Sequence, residues 1–163
     1  MYYINYFFIF SIIGHFIETV FVPNFTSGIL YGWWTPVYGV GVVFILLIEK
    51  IINKFNLEGK RIFKILITYL ACMIILSLIE LLGGHLIKLV FNEELWNYEK
   101  HKFNIGPYIS LEMANAWGIA SILVLYVLKT IVDRLEKYIP KFITCILIIL
   151  FVIDVSVKVI SSL

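Results

Sequence analysis

The sequence predicts an all-α integral membrane protein, a single bundle of about five transmembrane helices with a broken or re-entrant segment near residues 28–41. Three observations predict it. Of the 163 residues, 61% are apolar or aromatic and only 15% are charged, against about 25% charged in ordinary soluble domains. Mean hydropathy is +0.97. The apolar residues fall in long runs, each close to the roughly 20 residues that cross a bilayer. This composition excludes a soluble domain, a disordered chain and a disulfide scaffold. A net charge of +2 gives no argument for nucleic acid as a partner. The chain is expected to form one polytopic domain over residues 1–163.

The first span is expected at residues 2–22, ended by Pro23 and Asn24. It lacks a basic leading region, and His15 and Glu18 interrupt it, so it reads as a retained membrane segment rather than a signal peptide. The second is expected at 31–52. Its first half, with Gly32, Pro36, Gly39 and Gly41, resists a continuous helix. Either this stretch re-enters the membrane under cover of protein or water, or it lies at the interface and the span proper begins near Pro36. Trp33 and Trp34 suit the headgroup belt. The third span is expected at 65–91, the fourth at 108–132 and the fifth at 142–161.

Lysine and arginine set the orientation. Lys50, Lys54, Lys60, Arg61, Lys64, Lys129, Arg134, Lys137 and Lys141 flank two connections on one side. Lys88, Lys100, Lys102 and Lys158 lie on the other. The rule predicts a cytoplasmic N-terminus and an outside C-terminus in the cell membrane, with the aromatic loop at 92–107 outside. Cys72 and Cys145 stand in apolar runs at no metal or disulfide spacing.

The costly residues are Glu18, Glu80 and Glu112. A carboxylate at bilayer depth must face a partner, water or a ligand, or stay protonated, and such residues are functional candidates. His15 shares a helix face with Glu18, three residues on, as Asn115 does with Glu112. Gly83 and Gly84 beside Glu80 invite another helix to approach closely. Asp154 and Lys158, four apart, read as a local ion pair. His101 lies in a charged loop and carries no assigned role. One His-x-x-Glu pair, at His15 and Glu18, is weak support for a metal site. The chain has no P-loop, no serine-hydrolase elbow and no zinc-protease motif. No cofactor is indicated.

The order of motifs resembles the ABC-transporter type IV (CmpB-type) membrane protein family. Gly14 and Glu18 are similar to a Gly-Trp-x-x-Glu start, with His15 where Trp is usual. Gly28, Tyr31 and Gly32, then Pro36, Tyr38 and Gly39, resemble Gly-Phe-Leu-Tyr-Gly-Pro and Pro-Ile-Tyr-Gly segments. Glu80 with Gly84 resembles Glu-Tyr-x-x-Gly. Trp96, Asn97 and Tyr98, with Phe103, Asn104 and Ile105, resemble Trp-Asp-Tyr and Phe-Asn-Ile, leading into a helix with Glu112 and Trp117. The resemblance covers about residues 5–130 and leaves the last span outside.

It implies a transporter-like protein and selects the same glutamates. The expected site is an acidic cavity of Glu18, Glu80 and Glu112, with His15, Tyr31, Tyr38, Trp96, Tyr98, Asn104, Asn115 and Trp117 around it. Three classes stay open: a permease-like or ligand-binding protein for a cationic or polar amphipathic small molecule, an intramembrane enzyme acting on a lipid, and a structural or regulatory subunit. The expected partners are the lipid bilayer, a small-molecule ligand, and a second copy or other membrane subunits.

Overall fold

A computed structural model describes residues 1–21, 28–55 and 59–162. The expected turn at 23–27 lies outside the described residues. Among the described residues, five helical rods form the bundle. They are α1 (Tyr2–Phe21), α2 (Pro36–Ile52), α3 (Arg61–Phe91), a rod of α4 (Leu111–Leu123), one π-helical turn (Val124–Leu128) and α5 (Lys129–Glu136), and α6 (Lys141–Ser162). Four of the rods, all but α2, are long and apolar enough to cross a membrane. The protein is an all-α membrane protein.

Several boundaries move from the expected ones. Pro36 begins α2, because proline's fixed φ and missing N–H are tolerated in a first turn. Gly39 and Gly41 therefore sit inside a regular helix, and the irregular backbone is confined to residues 28–35. Gly39 faces Ser11 and the Phe7 carbonyl of α1 so closely that a Cβ there would collide with them. The rod α4–α5 runs on to Glu136, four residues past the expected end. The chain folds back at residues 104–110, where β1 (Asn104–Ile105) pairs antiparallel with β2 (Ile109–Ser110). Gly106 in this hairpin takes φ +63°, a conformation that costs glycine little. Ser110 then caps α4, its hydroxyl accepting from the Met113 N–H at 3.3 Å.

The core lies where α1, α2, α3 and the α4–α5 rod meet, around Tyr6, Phe10, Ile45, Cys72, Leu76 and Val124. α6 is peripheral. Only 11% of its apolar window is buried, against 22–33% in the other three spans, so most of its surface is left for lipid. α2, with 17 residues, is about 26 Å long at 1.5 Å per residue. Its neighbours are longer. The space beyond its N-terminus is filled by the 28–35 segment and the 92–110 loop, and the candidate site lies there.

Candidate functional site

The start of α2, the second half of α3 and the two non-helical segments border a half-open cavity of about 630 Å³. Pro36, Val37 and Tyr38 form one side of it, and Trp96 and Tyr98 of the 92–110 loop another. Met113 and Trp117 come from α4, and Phe151 and Val155 from α6. Two carboxylates, Glu18 and Glu80, are on its wall. No Lys, Arg or His stands among the described lining residues.

Glu80 is 5% exposed and is held at both oxygens. The Tyr98 hydroxyl donates to Oε1 at 2.7 Å and the Trp117 indole N–H donates to Oε2 at 3.0 Å. A typical bond of this kind contributes about 0.5–1.5 kcal/mol net. Burial, with the neighbouring Glu80 carboxylate second, pushes the Tyr98 hydroxyl above the ordinary tyrosine value. Tyr98 therefore keeps its proton and remains a donor throughout the neutral range. The loop is placed for this by its own backbone, the Tyr98 N–H donating to the Pro107 carbonyl at 2.7 Å.

Glu18 is less enclosed. The Thr35 hydroxyl donates to its Oε2 at 3.3 Å, and the Tyr38 hydroxyl lies beside it. The α2 N-terminus points at the same space, and its dipole favours a carboxylate. Gly14 lets the Tyr38 ring lie flat against α1, where any Cβ would overlap it.

Six of the eleven sequence-predicted residues line the cavity: Glu18, Tyr38, Glu80, Trp96, Tyr98 and Trp117. Five do not. Glu112 sits in the first turn of α4 with its side chain 64% exposed, and its Oε2 lies 2.6 Å from His101 Nδ1. The helix begins at Leu111 rather than 108, so Glu112 is an end residue favoured by the helix dipole, not an acid at depth. His101, given no role by the sequence, is its partner. Asn115 is turned to α3 instead, accepting from the Tyr69 hydroxyl. Asn104 is exposed in the hairpin and donates to the Gly106 carbonyl at 3.1 Å. The Tyr31 ring is 66% exposed. His15 is buried one turn before Glu18, with no partner for Nδ1 among the described residues.

Two more expectations are corrected. Asp154 does not pair with Lys158. It accepts from the Tyr31 N–H at 3.0 Å, the Gly32 N–H at 2.7 Å and the Trp34 indole at 2.7 Å. Lys158 reaches Glu93 at 3.2 Å. Gly84 admits not a helix but the Tyr108 ring, which a Cβ would meet at 2.6 Å. Thr35, Met113 and Phe151 line the cavity unannounced by the sequence, being ordinary residues in ordinary runs. Among the described residues no three His, Cys, Asp or Glu side chains converge as a metal site.

No curated protein and no solved structure matches the chain. The family described as Putative ABC-transporter type IV matches it over residues 5–159. That span includes nearly all of α6, which the motif resemblance leaves out. The helices, the matched order of motifs and this near-complete coverage place the chain in that family, as a transporter-related membrane protein.

Proposed function

We propose that the protein is a small permease-like or ligand-binding protein whose cavity takes an organic cation with an apolar body. One observation carries this reading. The cavity holds two carboxylates, and the described wall offers them only neutral donors. A carboxylate in a low-dielectric site without a cation is costly, and a charged ligand relieves that cost. The volume lies within the range of about 300–1,000 Å³ usual for small-molecule sites. The Tyr38, Trp96 and Trp117 rings add faces that attract a cation by about 0.5–2 kcal/mol each. Lysine and arginine placement supports a cytoplasmic N-terminus in the cell membrane, which puts the cavity at the outer end.

A second reading has its own support. Glu80 ties α3 to both the 92–110 loop and α4, so its first duty would be structural, in a regulatory or packing subunit.

A size-matched pair of probes separates the two. Purified protein is titrated with tetraphenylphosphonium and with tetraphenylborate while tryptophan fluorescence is followed. The cation is expected to bind and the anion to bind at least about tenfold more weakly, a difference of about 1.4 kcal/mol. Glu80→Gln and Glu18→Gln are each expected to weaken the cation about tenfold with melting little changed. Equal binding of the two probes, or mutants that melt lower and bind as before, would reject the cation site in favour of packing.

A further inference from the structure

We propose that Asp154 is the positioning residue that keeps one wall of the cavity closed, the junction between segment 28–35 and α6. It pins segment 28–35 to α6, and these two form the wall through which ligand passes. The inference rests on the cavity reading for what passes, while the wall itself is tested without ligand.

Asp154 lies in the apolar run of α6 and is 9% exposed. Three N–H groups of one short segment hold it, from Tyr31, Gly32 and Trp34. The nearest lysine in sequence, Lys158, is engaged elsewhere with Glu93. The carboxylate thus has one evident task, which is to bind that segment. Both sides of this junction belong to the cavity wall. Gly28, Ile29, Leu30 and Thr35 line it from the segment, and Phe151 and Val155 line it from α6 around Asp154. The Trp34 indole packs edge-on against Phe151, ring centres 5.7 Å apart, which aims its N–H at the carboxylate.

α6 is also the helix that moves most cheaply. Little of its apolar surface is buried in the bundle, and lipid receives that surface as well as protein does. Away from Asp154, the polar ties of α6 among the described residues are the Thr144 hydroxyl donating to Asn5 at 2.6 Å at one end, and at the other the exposed contacts of Lys158 with Glu93 at 3.2 Å and of Ser161 with Tyr31 at 3.4 Å. A helix held at a few polar points and otherwise facing lipid can swing about its Thr144 end when the buried tie at Asp154 lets go. Three charge-assisted bonds concentrated on Asp154 make it the point whose release opens the cavity sideways, between α6 and the bundle. A molecule with an apolar body then enters from the lipid phase.

The test places a thiol inside the cavity. Met113→Cys, with Cys72→Ser and Cys145→Ser, puts one cysteine on α4, away from the proposed wall. Its rate of modification by a lipid-soluble maleimide, with the protein in proteoliposomes, is measured with Asp154 and with Asp154→Asn. Asparagine keeps the size but turns an NH₂ toward donors. The cysteine is expected to react slowly in the parent and roughly tenfold faster with Asp154→Asn, by a shift of the opening equilibrium. Trp34→Phe, which removes one bond and keeps the ring, is expected to fall between. Trp34→Phe also decides the case if Asp154→Asn fails to fold. A fast parent rate, or the same rate in every variant that keeps its helix content, overturns the proposal. The tetraphenylphosphonium titration distinguishes the two claims: faster labelling without cation binding leaves the wall standing and the cation reading rejected, and binding with unchanged labelling does the reverse.

Discussion

Two sets of acids at opposite ends of the bundle, Asp133 with Glu136 and Glu18 with Glu80, meet different partners. At the end where α1 begins, the Tyr2 and Tyr6 hydroxyls both donate to Asp133 Oδ1 at 2.7 Å. Asn5 donates to Glu136 at 2.9 Å and accepts from Thr144 at 2.6 Å. Lys129 pairs with Glu49. These bonds run between α1, α2, α5 and α6. At the other end, Glu80 and Glu18 meet neutral donors and an open volume. The same chemical group locks helices where its partners converge, and is left available where the wall stops short. Depth in the membrane and charge do not decide which role an acid plays. The partner set does.

The contrast breaks first at the locking end. Asp133→Ala removes the acceptor shared by two phenols and leaves the fully buried Tyr6 hydroxyl with the longer bond to the Lys129 carbonyl, at 3.3 Å. It is expected to lower stability by about 1–2 kcal/mol, the scale of a lost or weakened buried hydrogen bond. Thermal melting in detergent checks this, and cation affinity should stay within about twofold of wild type. Trp117→Phe removes one donor from Glu80 and keeps an aromatic face. It is expected to cost about 1–2 kcal/mol of stability and to change probe affinity only a few-fold, read from melting and titration together. Glu112→Gln is expected to do least. Its pair with His101 is on the surface, where such pairs contribute about 0–1 kcal/mol, so both melting and cation affinity should match wild type.

Much of this division could be read before any coordinates. Glu18 and Glu80 stand out because an acid in an apolar run demands a partner, and Tyr38, Trp96, Tyr98 and Trp117 follow from the family pattern. The bundle of span-length helices follows from hydropathy. What could not be read depends on partners distant in sequence. The donors of Asp154 lie 120 or more residues away, while Lys158 at i+4 imitates a local pair. Tyr2 and Tyr6 in an apolar run carry no sign that Asp133 awaits them. The depth expected of Glu112 turns on a helix boundary. A shift of three residues turns an acid at depth into one in a first turn, and hydropathy alone does not fix ends that finely.

The central claim is that these two sets of acids differ in kind, and one side-by-side titration tests it most directly. Tetraphenylphosphonium affinity is measured for wild type, Glu80→Gln and Asp133→Asn under one condition. The account predicts a loss of about tenfold or more for Glu80→Gln and a change within about twofold for Asp133→Asn, the latter melting lower. Equal losses in both variants, or a loss confined to Asp133→Asn, would contradict it.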